Sequence, residues 1–354
     1  MITNAQVSIN SAGVLVRYGI EPVSITSLDI GLINRTWLVT DTHHKYILQQ
    51  VNPMFSPAIH QGIDAVTTYL FNQGIVTPRL IHTLDKQPYC EVDKSIWRMF
   101  DYIDGYTVNS VDKPAMAFEA GALLARFHTA LNEMPYTFQQ QRTGVHDTVR
   151  HLQVLRSALE NRQDHQRYGD IQPLAIEILE TATRLPVLPD TGLRKVHGDP
   201  KINNFLLDRQ TGRGICMLDF DTLGNMAWAL EMGDAMRSWC NPVGENSTET
   251  FFSMENYGAG LQGYMSSAPD FISDAEWASI LPATQIIYVE LAARFCADAL
   301  NEDYFSWDSN RFASHSEHSQ LRAISQYNAY KSLKAQILDV ARVESHLADC
   351  ICCH

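Results

Sequence analysis

The run His197-Gly198-Asp199-Pro200-Lys201-Ile202-Asn203-Asn204 puts an acid and an amide five residues apart on one loop, and a second acid, Asp219, ends the next apolar run before Phe220-Asp221. The chain has 13 His and 19 Gly in 354 residues, and random order would produce H-G-D-x-x-x-x-N on the order of 0.002 times. The pattern therefore asks for a chemical explanation. An acid that takes a hydroxyl proton, beside an amide carbonyl and a carboxylate that suit a hard divalent ion, describes a catalytic loop and a metal loop for phosphoryl transfer. In that reading Asp199 orients and deprotonates a hydroxyl nucleophile, while Asn204 and Asp219 hold Mg²⁺ on the phosphates of ATP. The plain structural alternative is an acidic hairpin with Asp199 and Asn204 as turn caps. Lys201 either touches a phosphate or is a solvated loop lysine.

The elements that must position these residues fall into two regions. Strand patterns cover Val23 to Leu28, Thr36 to Thr40, Lys45 to Val51, Arg79 to Thr83 and Ser95 to Tyr102. A helical period runs from about Ala58 to Asn72 and stops at Gly74. Near Ile103-Asp104-Gly105 the period changes from 2 to 3.6, so the division is set at 1–103, a strand-rich nucleotide-binding lobe, and 104–354, a mainly helical lobe. Pro114 opens a helix carrying Met116, Ala120, Leu123, Leu124, Phe127 and Leu131. Further helices fit Asp147 to Arg162, Ile171 to Arg184, Glu249 to Met265, Asp274 to Leu300 and His318 to His346, with short strands at 195–197, 205–207 and 216–218 between them. The class is α+β.

Composition narrows the function. Lys and Arg number 27 against 40 Asp and Glu, a formal charge of −13, which excludes a surface of clustered cations for duplex nucleic acid and argues against an anionic membrane. A nucleotide stays allowed, because backbone amides and a metal ion hold phosphates without net positive charge. No run reaches about 18 uninterrupted apolar residues and Met1 to Pro22 lacks a basic start with an apolar block, so a cytoplasmic protein is expected. Seven cysteines, scattered except for Cys350, Cys352 and Cys353, give no disulfide framework. No metal is assigned to that tail and His354, which is read as an apolar chain end.

These motifs resemble the aminoglycoside phosphotransferase and choline kinase-like family of small-molecule kinases, in which the catalytic loop reads H-G-D. The likeness is closest to the N-acetylhexosamine 1-kinases. It runs through Gly31 to Trp37, Tyr46 to Asn52, Trp97 to Ile103, Phe127-His128, the catalytic run, Gly233 to Arg237 and Arg294 to Tyr304. It implies a bilobal protein-kinase-like fold with a small antiparallel-sheet lobe and a larger helical one, and transfer from ATP, with Mg²⁺, to a small-molecule acceptor, most closely an amino sugar phosphorylated at its anomeric hydroxyl. It also implies that the turn at Gly31, with Asn34 and Thr36, approaches the phosphates and that the backbone at Asp101, Tyr102 and Ile103 faces the adenine edge. One departure is plain: the strand that usually offers a lysine reads Leu48-Gln49-Gln50, which leaves Gln49 as the phosphate contact.

For the acceptor, the resemblance points to Arg294 of Arg294-Phe295 and to Tyr304, with one residue fewer between them than in the hexosamine 1-kinases. An arginine fork and a phenol suit a polyhydroxyl ligand bearing an acetamido carbonyl. A surface ion pair is the other reading of Arg294. The rival inside the fold is a choline, ethanolamine, homoserine or aminoglycoside kinase, whose cationic acceptor calls for a box such as Trp228, Glu231, Trp239 and Trp307. The rival of another class is a nucleotide-binding scaffold without activity, favoured by the missing lysine and disfavoured by the intact Asp199, Asn204 and Asp219 set.

Overall fold

Trp37 with Val39, Leu48, and Trp97 with Met99 lie on three strands and bury one face of a sheet, which Val14, Leu15 and Tyr18 of a short helix cover. That helix is α1 (Ser11–Tyr18), and the strands are β1 (Ser24–Leu28), β2 (Arg35–Thr40), β3 (Lys45–Gln50), β4 (Cys90–Val92) and β5 (Ser95–Asp101), with α2 (Ile59–Asn72) between β3 and β4. All neighbours are antiparallel in the order β1-β2-β3-β5-β4. The strand expected over Arg79 to Thr83 is not formed. Its first half instead runs along β5 through the Leu80–Phe100 bridge and the bond from the Ile81 amide to the Met99 carbonyl (2.8 Å), while β4 takes the other half of the same edge.

The computed structural model describes residues 11–28, 33–139, 144–267 and 270–351. Gly31 and residues 352–354 of the cysteine tail lie outside them, as do the side chains beyond 338. The chain divides into two units, 1–105 with 134–142, and 106–133 with 143–354.

The second unit contains α3 (Pro114–Asn132), α4 (Thr148–Asn161), α5 (Tyr168–Ala182), β6 (Arg194–Val196), β7 (Phe205–Leu207), β8 (Gly214–Met217), β9 (Gly224–Met226), α6 (Trp228–Trp239), α7 (Met254–Met265), α8 (Asp274–Ala278), α9 (Ile280–Asn301) and α10 (His315–Ile351). β6 pairs with β9 and β7 with β8, both antiparallel. Pro114 starts α3, where its missing N–H costs nothing. Asp147 caps α4 by accepting from the Arg150 amide at 3.0 Å.

Two expected helix boundaries move for local reasons, and one helix is new. The helix expected over Asp274 to Leu300 breaks at Ser279, because Pro282 in the first turn of α9 has no N–H to continue the ladder from α8. The one expected from Glu249 begins at Met254, since Ser253 accepts from the Asn256 amide and Thr250 is tied to the Ser325 carbonyl at 2.6 Å. α6 was not expected as a helix: all but two of its residues are buried, and its polar residues Glu231, Asp234, Arg237 and Ser238 are turned to partners inside the protein and not to water. α9 has 22 residues and an apolar window of mean hydropathy 1.3, but 72% of that window is buried, and the helix packs against α4, α5, α6 and α10 as a core element. At the tight α3–α7 crossing a Cβ on Gly121 would come within 2.1 Å of the Gly260 carbonyl oxygen.

Candidate active site

The loop from His197 to Asn204 leaves β6, makes a short 3₁₀ turn and enters β7. Its start is clamped by one buried carboxylate on α6: Glu231 accepts from the amides of His197 and Gly198, both at 2.9 Å. Gly198 sits at φ +84°, and a Cβ there would lie 2.2 Å from the Thr222 carbonyl oxygen, so backbone angle and space both require glycine. Trp239 donates its indole N–H to the Pro200 carbonyl at 3.0 Å, and Ser238 accepts from the Ile202 amide at 2.9 Å. His197 packs between the rings of Phe127 and Phe220 and bonds through Nε2 to the Leu218 carbonyl at 2.8 Å. A carbonyl only accepts, so Nε2 carries the proton, and burial pushes the imidazole pKa down and keeps the ring neutral.

The three residues singled out as the chemical set are brought together. Asn204 donates its side-chain amide to the Asp199 carbonyl at 2.8 Å, and the Asn204 carbonyl accepts from the Leu218 amide at 2.7 Å, which places Asp219 beside it. Asp219 takes left-handed angles (φ 62°), uncommon outside glycine, and its residue is exposed, whereas Asp221 is buried. Asp199 faces the Lys201 ammonium at 2.5 Å. Burial would raise the Asp199 carboxyl, but that ammonium outweighs it and holds the group below the ordinary carboxylate range. Lys201 responds in the opposite sense: burial would lower it, and Asp199 with Asp219 keeps it charged. It is thus an ion-pair partner of Asp199 and not a solvated lysine.

Among the described residues no three or more His, Cys, Asp and Glu side chains gather as a metal site. One carboxylate and one amide oxygen, Asp219 and Asn204, fit a Mg²⁺ ion that completes its shell with phosphate oxygens and water, because that ion dehydrates reluctantly and takes few protein ligands.

In the first unit, Thr36, Gln49 and Arg98 stand in register across β2, β3 and β5. Arg98 donates Nε to the Gln49 carbonyl at 2.9 Å, and Gln49 donates its amide to the Thr36 hydroxyl at 3.2 Å. Arg98, almost wholly buried, was not read as a site residue, although a cation amid Trp97 and Met99 on an apolar strand was the available signal. Asn34 accepts from the Asn52 amide at 2.9 Å and so ties the open end of the β2–β3 hairpin. Asp101 holds the neighbouring segment by accepting from the Arg79 amide at 2.6 Å, and burial pushes its carboxyl up. The Asp101 and Tyr102 amides are spent on the Arg79 and Lys45 carbonyls, while the Ile103 amide makes no hydrogen bond among the described residues.

Arg294 and Tyr304 also meet. The guanidinium donates to the Tyr304 hydroxyl at 3.2 Å and lies 5.5 Å from its ring centre. Arg294 also has an ion-pair partner, Glu290 at 3.8 Å, but that carboxylate is fully buried, so the pair is not the surface one expected. That carboxylate also takes the Thr148 hydroxyl at 2.6 Å and His146 Nδ1 at 3.0 Å. The proposed cation box does not form from Trp228, Glu231 and Trp239. Trp228 is packed on Tyr264 and Trp277, Trp239 on Phe205, and Glu231 is committed to the loop amides. Glu231 itself escaped sequence reasoning as a loop clamp because nothing local links it to a loop 33 residues earlier.

A kinase, the amicoumacin kinase hAmiN solved with AMP-PNP, Ca²⁺ and Ami, is 16% identical to this chain, with a TM-score of 0.62 over 92% of this chain and 95% of its own. A microcompartment-associated aminopropanol kinase is 17% identical, TM-score 0.62, over 91% and 96%. The choline kinase of Cryptosporidium parvum Iowa II is 14% identical, TM-score 0.59, over 94% and 97%. At such identities the likeness establishes the fold, which is kinase-like as expected. The model of the phosphotransferase enzyme family matches residues 24–264, more than half of the sequence. With that match and this fold, the chain belongs to the phosphotransferase enzyme family and acts on hydroxyl acceptors.

Proposed function

We propose that this phosphotransferase moves the γ-phosphoryl group of ATP to the anomeric hydroxyl of an N-acetylhexosamine. The observation that carries the reading is the Arg294–Tyr304 pair, a guanidinium fork held at 3.2 Å from a phenol on one face of the helical unit. That pair offers several donors to ring hydroxyls and an acetamido carbonyl, which suits a neutral polyhydroxyl sugar. The acid and tryptophans that a cationic acceptor would need are used elsewhere, Glu231 by the loop amides and Trp228 by Tyr264.

In this reading residues 1–103 hold the nucleotide and residues 104–354 hold the metal, the base and the sugar. The Ile103 amide meets the adenine edge with the carbonyls of Asp101 and Tyr102. Asn34, Thr36 and Gln49 face the phosphates, and Arg98 compensates for the absent lysine by fixing Gln49 through its side-chain carbonyl, so that the amide end of Gln49 points away from the cation. Asn204 and Asp219 hold Mg²⁺, which neutralises charge on the phosphates when bound. Asp199 takes the anomeric proton as the new P–O bond forms. An anomeric hydroxyl is more acidic than an ordinary alcohol, so an ionised carboxylate suffices and the main task is orientation. Lys201 keeps Asp199 ionised and limits its rotamers.

Coupled measurement of ATP consumption with N-acetylglucosamine, N-acetylgalactosamine, the parent hexoses, choline, ethanolamine, homoserine and an aminoglycoside tests the assignment. Turnover of the acetamido sugars well above the rest is expected. Turnover of an amine alone would move the chain to the amine-kinase branch.

A further inference from the structure

Tyr304 keeps 46% of its surface exposed, at the turn between α9 and α10, so its ring is not fixed by burial. What fixes its backbone is a second carboxylate on α9. Asp298, 2% exposed, accepts through Oδ1 from the amides of Tyr304 (2.8 Å) and Phe305 (3.3 Å). Through Oδ2 it accepts from the Ser319 hydroxyl (2.6 Å) and from His315 Nε2 (2.7 Å), both on α10. The residues around the pair are secured by other means. The Phe305 ring packs on Phe295 with ring centres 4.3 Å apart, and Arg322 donates to the Ser306 carbonyl at 3.0 Å. The left-handed residue Glu302 (φ 54°) ends α9, and its carboxylate accepts from the Ser316 amide at 3.0 Å.

A carboxylate removed from water and given four donors is held in one orientation, because turning it would strand donors on both sides. Asp298 and Arg294 are four residues apart on α9, so they share a face of that helix. The helix therefore carries one partner of the acceptor pair directly and the other through a buried acid. A loop fixed at the backbone by two amides can place an exposed phenol against an arginine without paying the entropy of searching for it on each binding event.

We propose that Asp298 is a positioning residue for acceptor binding: it touches no substrate and acts by setting Tyr304 against Arg294. This inference rests on the acceptor assignment of Arg294 and Tyr304 above. A purely structural role would lower stability while leaving the binding constants of the folded enzyme unchanged. A positioning role raises the KM for the acceptor and leaves the KM for ATP where it was.

The test is a cycle of Asp298→Ala, Asp298→Asn, Tyr304→Ala and the double variants in the full chain. KM and kcat are measured for ATP and for whichever panel acceptor the wild type turns over, N-acetylglucosamine first, and thermal unfolding reports folding. Asp298→Ala is expected to raise the acceptor KM roughly tenfold, the scale of losing paired buried hydrogen bonds. Asp298→Asn keeps a carbonyl for the two loop amides and is expected to recover most of that loss, and it also serves if the alanine variant does not fold. In the Tyr304→Ala background either change at Asp298 is expected to add less than twofold, since its route is gone. The inference is overturned if Tyr304→Ala raises the acceptor KM while folded Asp298 variants do not, or if the two effects multiply. If Tyr304→Ala leaves the KM of every acceptor unchanged, the acceptor assignment itself falls and the inference falls with it.

Discussion

Between His197 and Thr222 the backbone is fixed by buried groups, the Glu231 carboxylate, the Trp239 indole and the rings packed around His197, whereas Arg294 lies on α9 and Tyr304 on the loop after it, where the phenol stays half in solvent. The first region spends glycine at Gly198 and a left-handed aspartate at Asp219 to aim two carboxylates. The second spends no unusual backbone at the contacting residues and relies on Glu290 beside the Arg294 side chain and on Asp298 at the Tyr304 backbone amide. Chemistry common to phosphoryl transfer tolerates no slack in the base and the metal ligands, so rigidity is built into the chain itself. Recognition of one acceptor among many needs only that a few donors be presented, and those can ride on a surface that changes without disturbing the base.

If this contrast is right, damage should grade from the loop to the acceptor face. Asp219→Ala is expected to have the largest effect, a loss of at least roughly 10³-fold in kcat that added Mg²⁺ does not fully restore, because the ion loses its one carboxylate. Asp221→Ala should show the reverse emphasis, a lower Tm with a smaller loss of rate, since Asp221 is buried while Asp219 is exposed. Equal rate losses in equally folded proteins would mean that the ligand assignment is unresolved. Next comes Asp199→Asn, for which kcat should fall by roughly 10² to 10⁴-fold while calorimetric affinity for ATP survives. A wild-type rate in that variant removes Asp199 from the mechanism.

Glu231→Gln probes the clamp and not the chemistry. It keeps one carbonyl for a loop amide but turns an N–H toward the other, a change worth about 1–3 kcal/mol. We expect a lower Tm and a roughly tenfold lower kcat with both KM values near wild type. Unchanged kcat would show that the loop does not need the clamp. Arg294→Met and Tyr304→Phe should be mildest for rate: the acceptor KM rises about tenfold and about threefold respectively, with the KM for ATP unaltered. A matching rise in the KM for ATP would deny that the acceptor face is separable from the nucleotide side.

The same contrast explains what could be read without coordinates. The juxtaposition of Asp199, Asn204 and Asp219 is legible because eight contiguous residues and one strand end carry it, and local spacing survives folding. The antiparallel strands of the first unit are legible by alternation, except at Arg79 to Thr83, which shares the edge of β5 with the unexpected β4. Glu231 and Arg98 are not legible as supporting residues, because their partners lie 34 and 49 residues away and a lone charge in an apolar segment does not name its partner. Asp298 is hidden for a similar reason: a helix pattern shows that a face is buried but not which loop an acid on that face will hold. The pair proposed for the acceptor, Arg294 and Tyr304, was reached only through a resemblance.

The most direct measurement is phosphorus and proton correlation spectroscopy of the product formed by wild-type enzyme from ATP and N-acetylglucosamine, with Asp199→Asn as the control. The account predicts a single new phosphate ester coupled to the anomeric proton, and essentially none from the control over the same interval. A phosphate on another hydroxyl, or no product from the acetamido sugars while choline or homoserine is phosphorylated, would contradict it.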